Sequence, residues 1–372
     1  MTRITVTQPL LPPLEEFIPY LQRIWDTRIL TNGGQLHQEL EAALCAHLGV
    51  SHLSLFTNAT TALMAAVQVL GLKGEVITTP FSFVAGAHAL RRANVQPVFV
   101  DVEPRTLNID PSLIEGAITP RTTAIMAVHC YGNPCAVDAI QAIAERYGLQ
   151  VLYDAAHAFG VCIDGRSILH AGDLSVLSFH ATKVFNTFEG GAIIAPDAAT
   201  KARIDQLKNF GMKDEVTVDE VGLNGKMSEV HAAFGLLQLR YVDEAIEKRA
   251  TIARHYRQAL SRVRGIECLP DGHQDIPNHS YFPVRVRPDY PLSRDGLYEM
   301  LRARDIYARR YFYPLITDFP AYQTLPRGNA ATLPVAVHAA REVLCLPIHP
   351  ALTHDDLVRV IDAITHPLHG SQ

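Results

Sequence analysis

The run SFHATKVFNTFEGGAI, residues 178–193, contains one lysine, Lys183, among Phe179, Val184, Phe185 and Phe188. An ammonium in such apolar company loses hydration, which lowers its pKa and readies the amine to attack a carbonyl carbon. An isolated lysine of this kind equally suits the surface, with its stem laid along apolar neighbours. Three other features bear on the choice. Asp154 closes the run LQVLYD, either capping the residues AAHAFG that follow or waiting as a buried anion for a cation. In FTNATTALMAAVQVLGL, residues 56–72, Thr57 or Asn58 is a good N-cap for an alanine-rich helix. The amides of Ala59 and Thr60, with the hydroxyls of Thr60 and Thr61, then form an anion site suited to a phosphate. Ser178, five residues before the lysine, adds a further hydroxyl.

Together these groups meet the needs of pyridoxal 5'-phosphate. A lysine forms the Schiff base, an aspartate keeps the pyridine nitrogen protonated so that the ring accepts electrons, and amides and hydroxyls hold the phosphate.

Such groups need a scaffold that brings them to one place. From about Glu75 to Pro196, short β-branched runs (EVITTP, VQPVFVDV, TTAIMAVH, LQVLYD, LSVLSF, GAIIAP) alternate with helical patterns. In AVDAIQAIAERYGL, Val137, Ile140, Ile143 and Ala144 form an apolar stripe and Gly148 supplies the stop. This rhythm predicts a mainly parallel sheet with crossover helices, and in such sheets ligands bind at the carboxyl ends of the strands. Asp154, Ser178 and His180 close two of those runs. The stretch GKMSEVHAAFGLLQLRYVDEAIEKRATIARHYRQAL reads as one long bridging helix, with Val230, Ala233, Phe234, Leu237 and Leu239 as its apolar positions. Beyond it, HSYFPVRV and RDGLYEMLRARDI predict a compact α+β C-terminal domain. The division expected is a large domain over 1–245, including an N-terminal arm, and a small one over 246–372.

Composition narrows the class. The chain has 372 residues, 48% hydrophobic and 19% charged, enough for a large core. A formal net charge of -5 argues against a nucleic-acid binder, although Arg309 and Arg310 could hold one small anion. The six scattered cysteines suit reduced thiols in a long chain, and the single pair Cys130 and Cys135 has no second pair at zinc-site spacing, so no metal is expected. No basic leader and no apolar run of spanning length is present, from which a cytoplasmic protein without membrane contact is expected.

Read from LTNGGQLHQELEAAL through FTNATTAL, PFSFVAGAHAL, VHCYGNP, YDAAHAFG, SFHATK, EGGAI and GLNGKMSEVHAAFGLLQL to LPIHPALT, the chain resembles the nucleotide-sugar aminotransferases of the DegT/DnrJ/StrS type. The resemblance implies the aspartate-aminotransferase-like fold of the fold-type-I pyridoxal-phosphate enzymes. That fold has a large α/β domain with a mainly parallel seven-stranded sheet and a smaller α+β C-terminal domain. It makes Lys183 the Schiff-base lysine and the acid and base of the proton transfers, places Asp154 at the pyridine nitrogen, and puts His157 near the phenolic oxygen. Phe83 matches the ring that stacks on the cofactor, and Ala59, Thr60 and Ser178 match its phosphate holders. Asn224 matches a residue that reaches the phosphate in a neighbouring subunit, which implies a homodimer with shared active sites. Lys226 stands where many relatives carry arginine, keeping the charge without the bidentate fork. The residue before the phosphate-binding threonine is Ala59 rather than the usual glycine.

The resemblance also speaks to substrate. His180 and Glu189 match relatives that aminate the sugar 4-keto position, and Arg310, Tyr311 and Tyr313 fall where relatives contact the nucleotide sugar. A packed aromatic loop would explain that last trio equally well. The expectation is transfer from L-glutamate, leaving 2-oxoglutarate, to a nucleotide-linked 4-keto-6-deoxyhexose, with dTDP-4-keto-6-deoxy-D-glucose foremost, for surface-polysaccharide synthesis. The alternatives are a 3-keto-sugar aminotransferase, a pyridoxal-phosphate-dependent sugar dehydratase and a non-catalytic nucleotide-sugar sensor. The lysine weighs against the dehydratase, since relatives with that activity carry histidine there.

Overall fold

Residues rich in Val, Ile and Leu, bounded by Gly and polar turns, become the strands of a central sheet in the computed structural model, which describes residues 3–270, 272, 274–324 and 333–367. In chain order the first elements are β1 (Ile4–Thr5), α1 (Leu14–Thr27), α2 (Gln35–Leu48), β2 (His52–Phe56), α3 (Ala59–Val69), β3 (Glu75–Thr78), α4 (Ala85–Arg92) and β4 (Gln96–Phe99). Next come β5 (Thr122–Val128), α5 (Val137–Tyr147), β6 (Gln150–Asp154), the short hairpin β7 (Cys162–Ile163) and β8 (Arg166–Ser167), β9 (Leu174–Ser178) and β10 (Gly191–Ala195). The rest is α6 (Ala198–Leu207), α7 (Glu229–Leu239), α8 (Val242–Leu260), β11 (Ile266–Cys268), β12 (Phe282–Val286), α9 (Arg294–Ala303), β13 (Ile306–Tyr307), α10 (Pro334–Glu342), β14 (Val343–Leu346) and α11 (His354–Thr365).

Seven strands form the large sheet in the order β2-β10-β9-β6-β5-β3-β4. All its neighbours run parallel except β10, which is antiparallel to both β2 and β9. Both faces are covered, as a parallel sheet requires. Leu152, Val176 and Ile193 pack with Leu63 and Val67 of α3, while Val151 and Tyr153 face Ile140 and Ile143 of α5. Each such aliphatic side chain, once fully buried, contributes roughly 1.5–3 kcal/mol relative to exposure.

Register fixes where the polar ends fall. Gly191 pairs with Ser178 on one side and Phe56 on the other, and Asp154 pairs with Val128 and Val176. The ends of β2, β6 and β9 therefore meet at one edge, where β10 begins.

The predicted long helix is two helices. At Arg240 and Tyr241 the path breaks, with Arg240 N–H donating to Leu237 and Tyr241 N–H to Gln238, and the Tyr241 hydroxyl bonds Glu16 of α1. Of its expected apolar positions, Ala233, Phe234 and Leu237 are buried and Val230 is exposed. The helix α8 joins two cores: Val242 packs with the sheet side, whereas Ile252, Tyr256 and Leu260 pack with the antiparallel sheet β11-β12-β14 and helices α9 and α11. The boundary expected at 245/246 falls inside this helix. Strand β1 pairs in parallel with β13, and Ile4 lies in the second core, so the start of the chain packs with the small domain's residues.

Candidate active site

Helix α3 starts three residues after β2 ends. Asn58, extended and preceding it, takes the Thr61 amide at 2.9 Å, so the first-turn amides of Ala59 and Thr60 have no partner within the helix. Ser178 ends β9, on the far side of β10 from β2, and is buried. Gly191 permits this approach: a Cβ there would lie 2.7 Å from the Ala59 nitrogen.

Asp154 sits at the carboxyl end of β6, buried, its Oδ1 accepting the Ala156 amide at 3.0 Å. Burial raises its carboxyl above the usual range, opposed by that amide and by the nearby Lys183 ammonium. His157, in the same loop, is also buried; burial and then Lys183 hold it well below its ordinary pKa, so it is neutral, and its Nδ1 lacks a partner.

Lys183 lies in the turn after β9, its amide donating to the His180 carbonyl at 2.8 Å. Beneath the turn Phe179 and Phe185 are fully buried, edge to face at 4.9 Å, with Phe159 stacked on Phe185 at 4.7 Å. Phe188 instead stacks on Phe234 of α7 at 4.1 Å and is partly exposed. Enclosure lowers the Lys183 ammonium to about 8, with Asp154 pulling the other way.

These groups surround a cavity of about 230 Å³ that brings together Ala59, Thr60, Asp154, His157, Ser178 and Lys183. Phe83, 61% exposed, lines it too, as do His180, Glu189 and Tyr311. His180 Nε2 stands 3.7 Å from Glu189 Oε1. Arg310 and Tyr313 lie in an adjoining cavity of about 320 Å³ that shares Ser82, Phe83, Tyr311 and Phe312 with the first. Arg310 is tied to Asp295 at 2.9 Å.

Two expected site residues reach neither cavity. Asn224 is exposed and bridges Asn209, and Lys226 donates to Asn209 Oδ1 at 2.5 Å with its ammonium over the Phe210 ring. Conversely, Tyr281 and Phe312 line the cavity although sequence reasoning gave neither a role. Tyr281 belongs to the expected strand HSYFPVRV, and no local spacing ties it to Lys183.

The donor set fits pyridoxal 5'-phosphate. Two first-turn amides and two hydroxyls suit a phosphate, the buried carboxylate suits a pyridinium, and the unpartnered His157 Nδ1 suits a polar ring substituent. Among the described residues no group of three His, Cys, Asp or Glu could hold a metal, all six cysteines are free thiols, and no helix is long and apolar enough to cross a membrane.

A doubly covered sheet with a lysine, an aspartate and a helix N-terminus converging at its strand ends defines a fold-type-I pyridoxal-phosphate enzyme. Comparison with known proteins narrows this. The chain belongs to the DegT/DnrJ/EryC1/StrS aminotransferase family, whose profile matches residues 14–365. A dTDP-4-amino-4,6-dideoxy-D-glucose transaminase of Shigella dysenteriae is 56% identical over 361 residues, 97% of this chain and 98% of that protein. One of Escherichia coli is 51% identical over 358 residues, 96% of each chain. Among solved structures, DesI in the presence of its TDP-sugar product superposes with a TM-score of 0.93 at 36% identity, covering 99% of this chain and 94% of that one.

Proposed function

We propose that the chain moves the amino group of L-glutamate to the keto carbon of a nucleotide-linked 4-keto-6-deoxyhexose, dTDP-4-keto-6-deoxy-D-glucose foremost, releasing 2-oxoglutarate and the 4-amino-4,6-dideoxy sugar. The product would serve surface-polysaccharide synthesis in the cytoplasm. The observation that carries the chemistry is the Lys183 amine, lowered to about 8, in one cavity with buried Asp154 and the free first turn of α3. The substrate reading is supported by the names of the two relatives above half identity.

Pyridoxal 5'-phosphate, when bound, supplies the electron sink that makes the substrate carbon acidic. Lys183 would hold it and, in each half, take or return on Nζ the proton at the substrate carbon. Asp154 would set its carboxylate toward the ring nitrogen, His157 would offer Nδ1 to the ring's oxygen, and Phe83 would cover the ring face. Ala59, Thr60 and Ser178 would hold the phosphate. His180 and Glu189, paired at the cavity's wall, orient the incoming sugar or donor. Arg310, Tyr311 and Tyr313 give the adjoining cavity a cation and aromatic faces suited to a nucleotide.

The active unit is a homodimer. Asn224 and Lys226 lie away from their own chain's cavity, and Val216, Val218 and Val221 beside them are exposed, which suits a loop that enters a second copy's site.

Incubation with dTDP-4-keto-6-deoxy-D-glucose and L-glutamate should give the 4-amino sugar by NMR. Lys183→Ala should lose about two to four orders of magnitude in turnover. A 3-amino or deoxygenated product, or full turnover in the variant, would defeat the proposal.

A further inference from the structure

Among the described residues, the side chain within hydrogen-bond reach of the Lys183 amine is Tyr281, its hydroxyl 3.5 Å from Nζ. This phenol does not come from the strand ends. It immediately precedes β12 of the small domain's sheet, one residue before Phe282, and leans across to the loop after β6. Its ring packs edge-on against His157 at 4.9 Å and against Tyr311 at 5.5 Å.

The segment before it is pinned. Asn278 Nδ2 donates to the carbonyls of His157 at 2.8 Å and Phe159 at 2.9 Å, and its Oδ1 accepts the Ser280 amide at 3.0 Å. The Ser280 hydroxyl lies 2.8 Å from the His157 carbonyl. A side chain on Gly132 would strike both His157 O and Asn278 Oδ1, so the join has no slack. From behind, Arg249 of α8, fully buried, donates to the Ile348 carbonyl at 2.9 Å and reaches those of His279 and Ser280 at 3.5 Å. A buried guanidinium is costly, and here its Nη1 is spent bracing a backbone turn while its Nε has no partner.

The rigid side of the contact is therefore Tyr281, and the mobile side is a lysine with four rotatable bonds. A transamination frees that amine in the donor half and rebinds it in the acceptor half, and an untethered stem would disperse between the two. We propose that Tyr281 is a positioning residue, whose hydroxyl receives the Lys183 amine released in the donor half of the reaction and keeps it in place until the acceptor half rebinds it. The proposal rests on Lys183 being the reacting amine. Burial pushes the phenol up, so it stays protonated and its oxygen accepts from the ammonium.

Tyr281→Phe removes the hydroxyl and keeps the ring. In the full-length, cofactor-free protein, trace acetylation of Lys183, read by peptide mass spectrometry across pH, reports the amine directly. Asp154, His157, His180, Glu189 and Tyr311 share the cavity and are unchanged in the variant. The midpoint should fall, because the ammonium loses an acceptor. In the loaded enzyme, kcat should drop about tenfold while KM for both substrates holds within about twofold. An unchanged midpoint and kcat would overturn the proposal, as would a change in thermal stability and KM alone. Full turnover in Lys183→Ala would instead defeat the reading on which it rests.

Discussion

Lowering the Lys183 ammonium to about 8 changes what the amine does at mildly alkaline pH. The neutral amine is the nucleophile, so uptake of pyridoxal 5'-phosphate by the cofactor-free protein should accelerate as pH rises and reach half its plateau near 8. A stopped-flow series in which the half-point instead sits in lysine's ordinary range would show that the enclosure does not act on the amine. At this scale the sequence was informative where chemistry and secondary structure coincide. Lys183 among phenylalanines, Asp154 at a strand end and Ser178 at another were all legible, because strand ends in such sheets converge. Tyr281 was not, since its approach to Lys183 depends on how two cores pack, and pairing across 98 positions leaves no local pattern.

Among the elements, the contact between β10 and α3 shapes the proposed phosphate site. Gly191→Ala places a Cβ against the Ala59 nitrogen, and backbone atoms on both sides must move. The expected outcome is a loss of about 1–3 kcal/mol in denaturant unfolding and weaker retention of cofactor on dialysis. Unchanged retention would mean that the first turn of α3 is not the phosphate site. The β-branched runs foretold most of the sheet, and the alanine-rich run foretold α3 with Thr57 or Asn58 as its cap, of which the structure uses Asn58. The reversal of β10 was not readable, because side-chain alternation is blind to strand direction. Nor was the break between α7 and α8 visible, since apolar periodicity continues across Arg240 and Tyr241 while the hydroxyl that turns the chain bonds α1.

For the whole molecule, the exposed Asn224 gives a mixing test. In the proposed dimer with shared sites, Asn224→Glu would put a negative charge near the partner's phosphate site, whereas Lys183→Ala removes the amine from its own site. Each variant should be inactive as a homodimer. Reassembled together they should recover about a quarter of native activity, through hybrids carrying one intact site. No recovery from mixed subunits whose exchange is verified by mass spectrometry would mean that each site is built from one chain. A second set of strands and helices beyond the bridging helices was legible from the change in pattern, but the docking of β1 on β13 was not, as two residues carry no periodicity.

That docking also orders events during synthesis. Ile4 and Thr5 leave the ribosome long before Ile306 and Tyr307 exist to receive them, so the nascent chain must carry an unsatisfied leading strand while the large sheet assembles. Translation arrested ahead of β13 would leave Ile4 open to proteolysis, and its protection would mark the moment at which β13 receives its partner strand.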